Sequence, residues 1–137
     1  MRTIINGSRW IRDEGLFWTY MNDIDIPISE VYCGTAAGPD TLGERWAWLH
    51  GYPVRYFKPD WESGKAAGME RNLDMLNDGA EAVISFWDGT SKGTTHLFIE
   101  SRKRKLPTAV FTFDMLPINP LKPTEVNWAL NNIHKNY

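Results

Sequence analysis

Three short stretches place glycine beside hydroxyl, amide or charged side chains, a combination suited to holding an oxyanion. The first is Asn6-Gly7-Ser8-Arg9. Its glycine lets backbone approach a ligand closely, and Ser8 and Arg9 can donate to an anion. The second is Cys33-Gly34-Thr35-Ala36-Ala37-Gly38-Pro39-Asp40, between a strand-like and a helix-like run. Unpaired N–H groups at such a helix start attract phosphate, and the helix dipole adds about 0.3–2 kcal/mol. That biases an anion toward the site without holding it alone. The third is Asp88-Gly89-Thr90-Ser91-Lys92-Gly93-Thr94, with two glycines, three hydroxyls and one lysine. One such stretch is ordinary turn chemistry. Three on one edge of one sheet point to a single pocket for something anionic. Neither G-x-G-x-x-G nor G-x-x-x-x-G-K-S/T is present, which speaks against an ordinary dehydrogenase or P-loop nucleotidase.

Other residues could complete the pocket. Arg71 offers a planar, two-pronged donor for phosphate or carboxylate, with solvated pairing or capping as the alternative. Asn72 reads equally as a base-edge ligand or a loop cap. Lys65, between Gly64 and Ala66, could close over a ligand or simply stand solvated. Asp40 and Asp88 could each cap a helix, accept from ribose hydroxyls, or share a magnesium ion with a phosphate. If an acid/base pair exists, Asp88 and Glu70 are its candidates. Trp61 and Trp87 could stack on a base, at roughly 1–3 kcal/mol per contact, or pack as core or hinge. Trp46 fits a core face. His96, in a first helical turn, reads as a surface or interface residue. Arg102-Lys103-Arg104-Lys105 is a basic run at a helix C-terminus, where cations complement the dipole.

The elements that must position these residues follow from periodicity. Short apolar runs read as strands at Thr3–Ile5, Ser29–Cys33, Val54–Phe57, Ala82–Trp87 and Thr108–Phe113. Helical spacing recurs at Asp13–Asp23 through Phe17, Met21 and Ile24. It recurs again through Leu42, Trp46 and Leu49, ended by Gly51. Lys58–Gly68 reads as a loop. Met69–Asn77 reads as a helix closed by Asp78-Gly79, and Thr94–Lys105 as a helix with Leu97, Phe98 and Ser101 facing inward. Pro117, Pro120 and Pro123 make 113–123 an extended connection, and Thr124 can cap a last helix to about His134. Strand–helix alternation predicts an α/β fold: a three-layer sandwich around a mostly parallel five-stranded sheet. Ligands of such sheets bind outside the carboxyl ends of the strands, at a topological switch point.

The chain has 137 residues, 42% hydrophobic and 23% charged, with net charge −2. That suits one domain over 1–137 and gives no global attraction to nucleic acid. A single cysteine, Cys33, excludes an intrachain disulfide and fits a reducing, cytoplasmic setting as a small buried hydrophobe. Three histidines and that cysteine, far apart, do not make a zinc site, and no residue is assigned to a resident metal. No stretch reaches the roughly 20 apolar residues of a spanning helix, and no signal-peptide pattern opens the chain.

Four ordered blocks resemble the SLOG superfamily, in particular its small stand-alone YspA-type members. They are Asn6 to Arg9; Gly34 to Asp40 with Glu44-Arg45-Trp46-Ala47; Asp60-Trp61 with Gly64 to Gly68 and Arg71-Asn72; and Phe86 to Gly89 with Ser91 to Thr94. The resemblance covers about Thr3 to Thr112. It implies a Rossmann-like fold and a ligand site for a nucleotide or nucleotide derivative, drawn from Gly7, Ser8, Arg9, Gly34, Thr35, Ala36, Gly38, Asp40, Lys65, Arg71, Asn72, Trp87, Asp88, Gly89, Ser91, Gly93 and Thr94. Relatives of the LOG type cleave a base from nucleoside monophosphates. They carry a glutamate three residues after the Gly-Thr pair, where this chain has Leu97. Small members commonly have glycine and arginine where Thr35 and Ala37 stand here.

The leading expectation is a binding or sensor module for a nucleotide-like small molecule. An N-glycosidic hydrolase is the alternative. Single-stranded nucleic acid, which the DNA-processing protein A branch binds, is the lesser one. A homo-oligomer is left open, and a membrane partner is not expected.

Overall fold

A computed structural model describes residues 1–112. The expected 113–123 connection and the last helix lie outside the described residues. The elements are β1 (Arg2–Gly7), α1 (Glu14–Asn22), β2 (Glu30–Cys33), α2 (Pro39–His50), β3 (Val54–Tyr56), a single 3-10 turn (Trp61–Ser63), α3 (Ala67–Asp78), β4 (Ala82–Trp87), α4 (Lys92–Lys103) and β5 (Thr108–Thr112). The five strands form one parallel sheet in the order β3-β2-β1-β4-β5. This is the Rossmann-like α/β architecture expected. The order reverses between β1 and β4, where Gly7 pairs with Phe86, so the switch point lies there.

The strands are apolar on both faces because helices cover both. Period-two alternation divides their side chains. Ile5, Val31, Ile84, Phe86 and Phe111 pack with Phe17 and Met21 of α1 and Leu42, Trp46 and Ala47 of α2. Ile4, Tyr32 and Val83 pack on the other side with Met75 and Leu76 of α3 and Leu97 of α4. Trp87, Phe98, Ile99 and Val110 form a smaller cluster. Phe98, Leu97 and Ser101 are buried as expected. Leu49 is not: it is 69% exposed, because Trp46 and Ala47 already meet the sheet one turn earlier.

Helix starts moved most. α2 begins at Pro39, three residues before the apolar spacing becomes visible. Gly38 turns the chain with φ +82° and Pro39 supplies the first helical residue, a position where a missing N–H costs nothing. α3 begins at Ala67 within the expected loop, and α4 at Lys92 within the expected turn. Lys92, Gly93 and Thr94 are therefore a first helical turn. Gly51 ends α2 in the left-handed conformation, as its position suggested. Among the described residues no helix is long and apolar enough to cross a membrane.

Candidate functional site

A cavity of about 760 Å³ opens at the carboxyl ends of β1, β2 and β4. All three glycine-bearing stretches reach it, joined by Lys65, Arg71 and Asn72. The sheet edge thus gathers what the sequence separates by 88 positions, from Asn6 to Thr94.

Its foundation is the junction of β1 with β4. The Ser8 N–H donates to Phe86 O at 2.8 Å, and the Ser8 hydroxyl accepts from the Asp88 N–H at 3.0 Å. The hydroxyl proton goes to the Asp88 carboxylate. Ser8 is therefore buried and engaged within the protein, and it fastens two loops rather than offering a free donor. Gly7 is required by packing: a Cβ there would collide with Phe86 O and lie 2.6 Å from Pro39 Cγ.

The start of α2 differs from expectation. Its amides are already occupied by an anion, the buried carboxylate of Asp40. Asp40 Oδ2 accepts from Ala36 N at 3.3 Å, and the carboxylate also accepts from the backbone N–H groups of Gly7 and of Asp40 itself. Burial pushes its pKa up to about 6, against the opposing pull of Arg71 and these bonds. Gly34 sits between the two charges. A Cβ there would be 2.6 Å from Arg71 Nη1 and 2.8 Å from Asp40 Oδ2. Arg71 is also engaged: Nη1 donates to Gly34 O and Nε to Asn72 Oδ1. Thr35 stands beside them with φ +67°, a left-handed conformation that strains a β-branched residue.

The start of α4 is different. Asp88 Oδ1 accepts from Thr90 N at 2.9 Å and Ser91 N at 2.8 Å. Partial burial raises the Asp88 pKa, but these bonds and that of Ser8 outweigh it and hold the carboxyl below its ordinary value. Asp88 is an anion at neutral pH. The Ser91 side chain makes no capping bond, and among the described residues the amides of Lys92, Gly93 and Thr94, the first three of the helix, meet no acceptor. These residues and Ser91 line the cavity. The hydroxyls of Ser91 and Thr94 are 3.1 Å apart. Asn72 braces this turn, donating from Nδ2 to Gly93 O at 3.1 Å and lying 3.3 Å from His96 Nδ1. His96 is kept neutral by burial, which lowers its pKa, so Nδ1 can accept.

Several expected residues lie elsewhere. Trp87 is buried on the α4 face, edge-on to Phe98 at 5.2 Å, and does not line the cavity. Gly38 and Gly89 also stand outside the lining, and their positive φ values explain them as turns. Glu70 is exposed on α3 and outside the cavity, so it is not assembled with Asp88. Trp10, Met69 and Met75 do line the cavity and were not singled out from the sequence. The position of Trp10 directly after the first glycine stretch was the available signal. Among the described residues no three His, Cys, Asp or Glu side chains form a metal cluster.

The sequence profile of the YspA, cpYpsA-related SLOG family matches residues 1–64. The chain is also 35% identical over 120 residues to the Gene 61 protein of Mycobacterium phage D29, covering 80% of this chain and 95% of that protein. The chain belongs to the SLOG family. No solved structure matches it. In this SLOG protein, Leu97 is fully buried among Ile4, Met75 and Val83. The residue standing where LOG-type relatives carry an acid is thus part of the core.

Proposed function

We propose that the protein binds a nucleotide or nucleotide-derived phosphate ligand at the carboxyl ends of its strands, as a binding or sensor module. The observation that carries this reading is the open first turn of α4. Three residues whose amides meet no acceptor among the described residues line a cavity of about 760 Å³, with the Ser91 and Thr94 hydroxyls beside them. A helix start of this kind favours phosphate through its N–H groups and dipole together. Membership of the SLOG family supports the same ligand class. Arg9, Lys65 and Lys92 are exposed on the rim and add positive charge around it.

Hydrolysis of an N-glycosidic bond has less support. Asp88 reaches the cavity, but its low pKa suits it to accept rather than deliver a proton, and Glu70 is not beside it. The basic run is remote. It ends α4, roughly 18 Å from the helix start at 1.5 Å per residue. Within it Lys103 pairs with Glu100 and Arg104 donates to Asn77.

The test is thermal denaturation with a panel of phosphate-bearing nucleotides. Ligand at about 100 times its Kd adds about 2.7 kcal/mol of stability, so the fitting nucleotide raises Tm by several degrees. No rise with any member of the panel overturns the proposal.

A further inference from the structure

Two largely exposed tryptophans stand at the cavity; a third, Trp48, is exposed away from it. Trp10 and Trp61 are each 67% exposed, and both line the cavity. Trp46 and Trp87, by contrast, are over nine-tenths buried. Leaving so large an apolar ring in water forgoes the stabilisation that burial brings. Neither ring stacks on another aromatic among the described residues.

Both are presented on pinned backbone rather than on loose loops. Beside Trp10, Ile11 is buried and its N–H donates to Ser8 O at 3.0 Å. Trp61 opens the 3-10 turn. Asp60 accepts there from Glu62 N at 3.2 Å, and the Ser63 hydroxyl donates to Asp60 O at 2.7 Å.

The sheet order gives their placement meaning. Trp10 follows β1 and Trp61 follows β3, so their loops flank the loop after β2. That middle loop carries only small side chains at Thr35, Ala36 and Ala37. The open turn of α4 follows β4, on the opposite side of β1. Along the sheet edge the Trp61 loop comes first, then the loop of small side chains, then the Trp10 loop, and last the open turn of α4.

We propose that Trp10 and Trp61 form the base-binding part of the site, stacking on the base of a nucleoside 5′-phosphate whose phosphate lies at α4. This deepens the reading above and rests on it. Tryptophan faces attract any flat heteroaromatic ring, and such contacts are sequence-tolerant and strong in single-strand binders.

The experiment compares AMP with ribose 5-phosphate, which differ only by the base, using calorimetric titration. The native chain binds AMP roughly 5- to 150-fold more tightly, the range that about 1–3 kcal/mol of stacking converts to. Trp10→Ala with Trp61→Ala removes this preference while leaving ribose 5-phosphate affinity unchanged, and the two Trp→Phe changes retain most of it. Equal affinity of the native chain for both compounds, or a preference that survives the double alanine variant, overturns the assignment. Binding of ribose 5-phosphate in those cases leaves the phosphate site standing. Failure of both compounds and of the whole nucleotide panel removes the underlying reading as well.

Discussion

Two helices start at the same edge of the sheet, each after a glycine-bearing strand end, and they have opposite fates. At α2 the amides are filled from within by Asp40, backed by Arg71. At α4 the nearby carboxylate, Asp88, stops one turn short and binds Thr90 and Ser91, leaving the next three amides open. Local composition scarcely distinguishes the two stretches. The difference is where one carboxylate falls relative to the first helical turn. An acid inside that turn makes a structural anchor, and an acid just before it shapes the turn while leaving its amides for a ligand.

The largest effect should come from emptying the filled start. Asp40→Ala leaves buried amides unpaired and Arg71 without its counter-charge, so a loss of about 3–5 kcal/mol is expected, read from the urea midpoint. Little change in the midpoint would show that α2 does not depend on its internal anion.

Second in size is a pH dependence. The folded Asp40 pKa of about 6 exceeds its ordinary 3.8, so the native state binds the proton more tightly than the unfolded chain. Stability from this group is fully present below about pH 4 and is lost as pH rises through 6. The loss is on the order of 2–3 kcal/mol. Asp40→Asn lacks that titration, so its stability deficit against the native chain should shrink between pH 4 and pH 8. Measuring both proteins cancels the opposite trend of His96, whose lowered pKa favours the native state as pH rises. A deficit that stays constant with pH would refute the assignment.

Next, Ser91→Asp should convert the open start into a filled one. The helix gains about 0.3–1 kcal/mol from a carboxylate at its cap, while nucleotide affinity falls at least about tenfold, as one unfavourable charge contact implies. Retained nucleotide binding in this variant would place the phosphate elsewhere. The smallest effect belongs to Thr35→Gly. Relief of left-handed strain exceeds the entropy cost of glycine only slightly, so a gain of under about 1 kcal/mol is expected in thermal unfolding. A clear loss would mean that the Thr35 side chain makes a stabilising contact.

The strands and the layer order were legible because buried parallel strands are short apolar runs, and helices between them force the topology. Helix starts were less so. Gly38-Pro39 and Ser91-Lys92 begin helices through backbone geometry before any apolar repeat shows. The site was legible as a set of loops but not as a division of labour. Asp40 reads as cap, ligand or metal partner until Arg71, thirty-one positions later, is folded against Gly34. Ser8 reads as a free donor until Asp88 takes its proton. Trp87 could have been placed from strand alternation, since it shares a face with Val83 and points toward α4. Trp10, in contrast, gains meaning only when the loops after β1 and β3 are seen to flank that of β2.

The Ser8–Asp88 fastening spans eighty positions of chain. Pairings that distant form late, because loop closure must come before contact rewards it. A ribosome emitting this chain from its N-terminus releases β1, β2 and β3 well before β4 and α4 exist. The stretch 1–64 that carries the family match holds both cavity tryptophans but none of the α4 amides. On the function proposed above, a chain ending at residue 64 would carry the aromatic part of the site without the amides that would meet the phosphate.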